Sequence, residues 1–170
     1  MEMKLKSLNH TDRIHLNAAE GWLGLGDFVS ATNELEEISP EFRVHPAVLL
    51  MRCQIYSAAK KWDAVIAIAD TLVKQLPKLS DAWIHRSFAL HELKRTRDAY
   101  DKLLPAADKF KTQWVIAYNL ACYCCQLGLL KEAMTWLELA IDRAEKNEDI
   151  RSIALEDPDF EPLWADIGNI

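Results

Sequence analysis

Glycine and proline are scarce in this chain of 170 residues, which contains only 5 Gly and 6 Pro. That scarcity argues against long flexible linkers, which are usually rich in one of the two residues. Ala, Leu, Lys and Glu are abundant instead, and these residues favour helices. The length suits one domain or one array of repeats with a substantial core. We therefore expect an all-α fold.

Clustered positive charge is also missing. The net charge is −6, and the longest basic runs are the pairs Lys60-Lys61 and Lys94-Arg95, whereas nucleic-acid-binding proteins usually carry a basic patch. The first ten residues lack the apolar core of a secretion signal. An uncharged stretch from Thr112 to Leu130 is interrupted by polar side chains and by Gly128, which favours a buried helix over a membrane span. We predict neither nucleic-acid binding nor membrane insertion.

The sequence does not have the spacing of a disulfide framework. Its four cysteines are Cys53, Cys122, Cys124 and Cys125, and three of them fall on one predicted helix. This distribution suits a reducing cytoplasm. Cys122 and Cys125 share a helix face and could contact one metal ion with His85 or His91. Because no second cysteine pair exists and cysteine is a common small buried residue, packing is the favoured interpretation. We expect no metal and no cofactor.

Catalytic motifs are absent as well. The sequence contains no glycine-rich phosphate loop and no G-x-S-x-G turn. His85 and His91 point to different faces of one predicted helix, and neither has a nucleophile with an acidic partner nearby in sequence. We predict that the protein is not an enzyme.

What the sequence does contain is an internal repeat with a period of 34 residues. The residue just after each predicted turn recurs at this spacing, at Phe28, Trp62, Thr96 and Leu130. Three positions later comes a column formed by Ala31, Val65, Ala99 and Ala133. The preceding helices supply a column of small residues, namely Ala19, Cys53, Ser87 and Ala121. Columns that share one period indicate stacked helix-turn-helix units.

These columns set the predicted domain boundaries. Residues 1–10 form an N-terminal extension, and 11–146 form four repeats at about 11–44, 45–78, 79–112 and 113–146. Residues 147–170 form C-terminal capping helices, because a terminal repeat otherwise leaves an apolar face bare. We predict short helices at Ile150–Leu155 and Phe160–Ile167. Their buried side should be formed by Leu155, Phe160, Leu163, Trp164 and Ile167.

The repeat resembles the tetratricopeptide repeat. The fourth unit matches best, with Tyr118-Asn119-Leu120-Ala121 at the start of the signature, Gly128 at the turn, and Ala133 and Ala140 in the second helix. The segment Ala154–Leu163 resembles the tail that follows the last repeat in many bacterial members. The resemblance covers about residues 11–167. It implies a right-handed α-solenoid in which the first helix of each repeat lines a concave groove.

The resemblance also implies which side chains face that groove. The positions that match its columns are apolar or aromatic with scattered polar groups, which suits a bound peptide or short helix. The predicted binding residues are Leu50, Gln54, Ile84, Phe88, His91, Tyr118, Asn119, Cys122 and Cys125. A subgroup that binds chaperone C-termini is disfavoured, because Leu16 and Glu20 stand where that subgroup needs Lys and Asn.

We therefore predict a noncatalytic interaction scaffold that binds a protein segment in its groove. Two further interpretations remain. One is a bacterial chaperone for exported proteins, since such chaperones are also small, acidic and built from these repeats. The other is a structural module that forms homo-oligomers through an exposed end or face.

Overall fold

The structure is a computed structural model that describes residues 6–145 and 148–169. Parts of the predicted N-terminal extension (1–5), the last residue of the predicted fourth repeat (146) and parts of the predicted cap (147 and 170) lie outside the described residues. The chain divides into two compact units, Met1–Gln75 and Leu76–Ile170, which are described separately below. Within the described residues every regular element is helical, so the predicted all-α class is confirmed.

The first unit contains two helix pairs. They are α1 (His10–Gly24) with α2 (Phe28–Glu37), and α3 (Pro46–Ala58) with α4 (Trp62–Gln75), and a short 3₁₀ helix (Pro40–Phe42) joins the pairs. Asn9 caps α1, because its side chain accepts a hydrogen bond of 2.8 Å from the Asp12 amide. Asp12 is itself buried and accepts a hydrogen bond of 2.8 Å from the Ser39 amide. This bond ties the start of α1 to the end of α2.

The second unit contains two further pairs and a C-terminal cap. The pairs are α5 (Ser80–Glu92) with α6 (Thr96–Lys109), and α7 (Trp114–Gln126) with α8 (Leu130–Arg143). The cap consists of α9 (Ile150–Glu156), a 3₁₀ helix (Pro158–Leu163) and α10 (Trp164–Ile167). Four helix-turn-helix repeats followed by closing helices are therefore present, as the period predicts.

The repeated small residues lie where the helices of each pair pack together. All four members of the column in the first helices are fully buried, namely Ala19, Cys53, Ser87 and Ala121. The column in the second helices is equally buried, at Ala31, Val65, Ala99 and Ala133. Small side chains at these positions let two helices approach closely, and larger ones would force the helices apart.

The predicted turns share one backbone conformation, which the residue types do not reveal at two of the four positions. Gly26, Lys60, Lys94 and Gly128 are spaced 34 residues apart, and all four have positive φ, at 78°, 55°, 61° and 76°. The amide of the following residue donates to a carbonyl five positions earlier in every case, as from Leu129 to Cys124 at 2.9 Å. This is the Schellman ending of a helix. Two lysines therefore occupy a conformation that favours glycine.

The C-terminal cap differs in detail from the prediction. Phe160, Leu163 and Ile167 are buried as expected, whereas Leu155 and Trp164 are exposed. Ile150 and Ala154 provide the buried side of α9 instead.

The predicted helix Phe160–Ile167 was also wrong in its geometry. The helical turn begins at Pro158 and not at Phe160, and Pro162 has no amide to donate to the Pro158 carbonyl four residues earlier, so this stretch is a 3₁₀ helix and α10 begins only at Trp164.

Candidate functional site

The predicted binding residues fall in both units. In the first unit, Leu50 is half-buried and Gln54 is exposed, one helical turn apart on α3. In the second unit, the other seven lie on α5 and α7, which contact each other. We call these seven the α5/α7 face; it consists of Ile84, Phe88, His91, Tyr118, Asn119, Cys122 and Cys125.

The α5 part of this face changes from accessible to buried along the helix. Ile84, Phe88 and His91 follow the spacing of one helical face. Ile84 is half-buried and Phe88 is 40% exposed, whereas His91 is only 6% exposed. The accessible part of α5 is thus the half that carries Ile84 and Phe88.

The α7 part is almost completely covered. Tyr118, Cys122 and Cys125 are buried, and Asn119 is half-buried. The covering element is the 3₁₀ helix of the cap together with its N-cap residue Asp157. We call this stretch, Asp157 to Leu163, the closing segment.

Asp157 is bound by two side chains of α7. The Tyr118 hydroxyl donates a hydrogen bond of 2.7 Å to Oδ2 of Asp157. The Cys122 thiol lies 3.8 Å from the same oxygen and donates weakly to it. The other oxygen, Oδ1, accepts a bond of 3.0 Å from the Asp159 amide. One carboxylate therefore both caps the closing segment and attaches it to α7.

Asp159 is bound from two helices. Nε2 of His91 on α5 lies 2.9 Å from Oδ2 of Asp159, and Nδ1 of the same ring lies 3.0 Å from the Thr96 hydroxyl. If the Thr96 hydroxyl donates to Nδ1, Nε2 carries the proton that Asp159 accepts. The side chain of Gln126 on α7 donates a bond of 2.9 Å to the Asp159 carbonyl.

Phe160 completes the contact. Its side chain is fully buried, and its ring meets the Tyr118 ring edge to face at a centroid distance of 5.3 Å. Trp114 meets the same tyrosine in the same manner at 6.0 Å. Edge-to-face pairs of this kind stabilise packing beyond the area that they bury.

Burial keeps the hydrogen-bond donors of this face protonated. The pKa of Tyr118 is raised, first by burial and then by Cys122 and the hydrogen bond to Asp157. Burial, together with Asp157 and Asp159, likewise raises the pKa of the Cys122 thiol well above its ordinary value. Burial also raises the pKa of Cys125 to about 11. Nucleophilic and metal-binding cysteines need a lowered pKa, so the raised pKa values of Cys122 and Cys125 suit packing and hydrogen bonding.

The described part of the chain offers neither a metal-binding cluster nor a membrane-spanning helix. Across residues 6–145 and 148–169, no group of three or more His, Cys, Asp or Glu side chains is placed to hold a metal ion. In the same ranges, no helix combines the length and the apolar character that crossing a bilayer requires.

Asp157, Asp159 and Gln126 do not appear among the predicted binding residues, although they make the polar contacts. The acidic closing segment is visible in the sequence, but His91 and Asp159 lie 68 residues apart. No local pattern links residues so distant, and only the tertiary structure brings them together.

Comparison with solved structures finds the same fold. A thermophilic tetratricopeptide-repeat protein from Thermus thermophilus matches with a TM-score of 0.76 and 17% identity, over 92% of this chain and 83% of that one. MamA from Desulfovibrio magneticus RS-1 matches with a TM-score of 0.70 and 14% identity, over 96% and 94% of the two chains. A further MamA crystal structure gives 0.68 and 17%, over 94% and 87%. The sequence matches no protein-family model and no curated protein.

At these identities the likeness shows the fold alone. The fold is that of tetratricopeptide-repeat proteins, in agreement with the resemblance carried by Tyr118, Gly128 and Ala133.

Proposed function

We propose that this chain, with its tetratricopeptide-repeat fold, is a noncatalytic scaffold that binds a segment of another protein through the first helices of its repeats. The observation that carries the proposal is that the α5/α7 face already holds a peptide segment from outside the repeats. Tyr118, His91 and Gln126 bind the closing segment through side-chain hydrogen bonds. A surface that holds one short segment in this way is suited to hold another.

The accessible part of the face supplies the entry point. Phe88 is exposed beside the half-buried Ile84, and exposed aromatic side chains are frequent anchors in protein interfaces. Leu50 and Gln54 provide candidate contacts in the first unit.

A noncatalytic role agrees with the chemistry of the buried groups. The four cysteines are free and buried, and burial raises the pKa values of Cys53 and Cys124 to about 12. Such thiols are poor nucleophiles. Free cysteines also suit a reducing compartment, which supports a cytoplasmic location.

A pull-down with matched variants tests this proposal. Phe88 on α5 is 40% exposed and Leu104 on α6 is 38% exposed, so Phe88→Glu and Leu104→Glu place a charge at equally accessible apolar positions on different helices. We expect proteins captured from native lysate by wild type to be lost from Phe88→Glu and kept by Leu104→Glu. Both variants should first show the helical circular dichroism of wild type. Equal capture by all three proteins would contradict binding at this face.

A further inference from the structure

We propose that the α5/α7 face is a binding site for a protein segment with two carboxylates two residues apart followed by an aromatic ring, of the type Asp-x-Asp-Phe. Residues 157–160 of this chain, Asp-Pro-Asp-Phe, occupy the site within the same molecule. A partner segment of the same chemistry occupies it by displacing them. This inference rests on the proposed function and names the chemistry of its ligand.

The first position of the site selects a carboxylate. Tyr118 and Cys122 both offer hydrogen atoms to Oδ2 of Asp157, and their raised pKa values keep these hydrogens in place. Two neutral donors directed at one oxygen favour a charged acceptor, because hydrogen bonds to an ionised group are the stronger ones. An asparagine that turned its carbonyl oxygen to these two donors would direct its NH2 group at the Asp159 amide, which is itself a donor.

The second position selects a carboxylate and fixes the direction of the bound segment. His91 binds the Asp159 side chain, while Gln126 binds the Asp159 backbone carbonyl at 2.9 Å. A side-chain contact from α5 and a backbone contact from α7 to the same residue define the orientation of the segment across the two helices. Contacts to the backbone give affinity for peptides generally, and contacts to the side chain give specificity.

The third position selects an aromatic ring. Phe160 is fully buried against the edge of Tyr118, so that one tyrosine contacts both the first carboxylate and the ring. Pro158 restricts the backbone between the two aspartates, and Asp157 caps the turn through the Asp159 amide. A ligand that is rigid before it binds loses little conformational freedom on binding.

The buried donors explain why the site needs an occupant. If the closing segment left without replacement, His91 and Tyr118 would lose the acceptors that they now contact, and their rings would be exposed. Another segment with the same acceptors restores these bonds. The covalent link gives residues 157–160 an effective concentration on the order of millimolar. A partner must therefore compete with this segment, and binding should be strong only when the internal segment is weakened.

A peptide binding experiment with the full chain tests the inference. The probe is a fluorescent peptide of residues 155–164, and its control carries Asp157→Asn and Asp159→Asn. The protein is tested as wild type, as the double variant Asp157→Asn, Asp159→Asn, and as Glu161→Gln. Glu161 is an exposed carboxylate on the same 3₁₀ helix, so its substitution is the matched control for loss of charge.

We expect the native peptide to bind the double variant at least about tenfold more tightly than it binds wild type or Glu161→Gln, because only in the double variant is the internal competitor weakened. The control peptide should bind the double variant at least about tenfold more weakly than the native peptide. Equal binding of the two peptides, or equal binding to wild type and the double variant, would overturn the inference. A wild-type dimer that the double variant does not form would identify a second copy as the occupant and would also overturn it.

A second measurement applies if the double variant does not fold. A protease site inserted between α8 and α9 of the otherwise native chain allows the cap to be cleaved after folding. We expect a labelled peptide of residues 149–169 to exchange into the cleaved protein and to release the native fragment, and the same peptide with Asp157→Asn and Asp159→Asn to exchange much less. No exchange, or equal exchange of both peptides, would contradict the inference.

The two proposals can fail separately. If the peptide experiments contradict this inference, loss of lysate capture by Phe88→Glu would still support the general scaffold function.

Discussion

The Tyr118 hydroxyl on α7 donates a hydrogen bond of 2.7 Å to Oδ2 of Asp157, which lies 39 residues further along the chain. This bond joins the fourth repeat to the closing segment. It is made by a side chain that, by resemblance to the tetratricopeptide repeat, is expected to face the groove. The position predicted to contact a ligand therefore contacts a segment of the protein itself.

Removing that hydroxyl should destabilise the protein. Tyr118→Phe keeps the ring that contacts Phe160 but takes the donor from Asp157, and we expect it to lower the free energy of unfolding by about 1 to 2 kcal/mol. Urea unfolding followed by circular dichroism measures the change. Tyr56→Phe is the matched control, because the Tyr56 hydroxyl makes no hydrogen bond to any residue that the structure describes. Equal effects of the two substitutions would show that the bond to Asp157 contributes nothing.

Glycine in place of a lysine in a left-handed turn should stabilise the protein. Lys94 has a φ of 61° in the position that glycine occupies at Gly128, so we expect Lys94→Gly to raise the free energy of unfolding by about 1 kcal/mol. Thermal unfolding checks this. Lys102→Gly is the control, because Lys102 is exposed in the interior of α6, where glycine should instead cost about 1 kcal/mol. A Lys94→Gly protein less stable than wild type would contradict the assigned turn.

Because its thiols are buried, the protein should lose stability as the pH becomes alkaline. Burial raises the pKa of Cys124 from 9.0 to about 12, with Glu132 adding to the effect. An unfolded chain therefore releases this proton at a lower pH than the folded one. The stabilisation is complete below about pH 9 and is lost progressively as the pH rises toward 12.

Unfolding midpoints between pH 7 and about 10.5 test this dependence. Wild type should lose stability more steeply than Cys124→Ala above pH 9, because the alanine variant has one fewer proton to release. Parallel curves would contradict the raised pKa. Iodoacetamide should also label the folded protein far more slowly than the denatured protein, in which all four cysteines are accessible.

Much of the fold follows from the sequence because it depends on local periodicity. The small column that includes Ala19 and Ala121 identifies where helices pack, and the uncharged stretch Thr112–Leu130, predicted to hold a buried helix, contains α7 (Trp114–Gln126). Lys60 and Lys94 show where this reasoning stops. A lysine does not reveal that its backbone is left-handed, and only its place in the repeat beside Gly26 and Gly128 could have indicated it.

The site was less predictable because its contacts are not periodic. The columns identify Tyr118 and His91 as members of one face, but nothing local indicates that Asp157 and Asp159 lie against them. The bonds between these residues depend on how the chain turns back after α8. A 3₁₀ helix from Pro158 to Leu163 precedes α10, so the spacing of one continuous α-helix does not hold across the cap, and Trp164 is exposed rather than buried.

Site-specific photocrosslinking in native lysate tests the central claim most directly. Phe88, and separately Leu104, is replaced by a photoreactive phenylalanine analogue in the full chain, and the crosslinked peptide is sequenced by mass spectrometry. We predict that a defined segment of a partner protein is captured from position 88 and not from position 104. The same captures from both positions, or none from position 88, would contradict binding at the α5/α7 face.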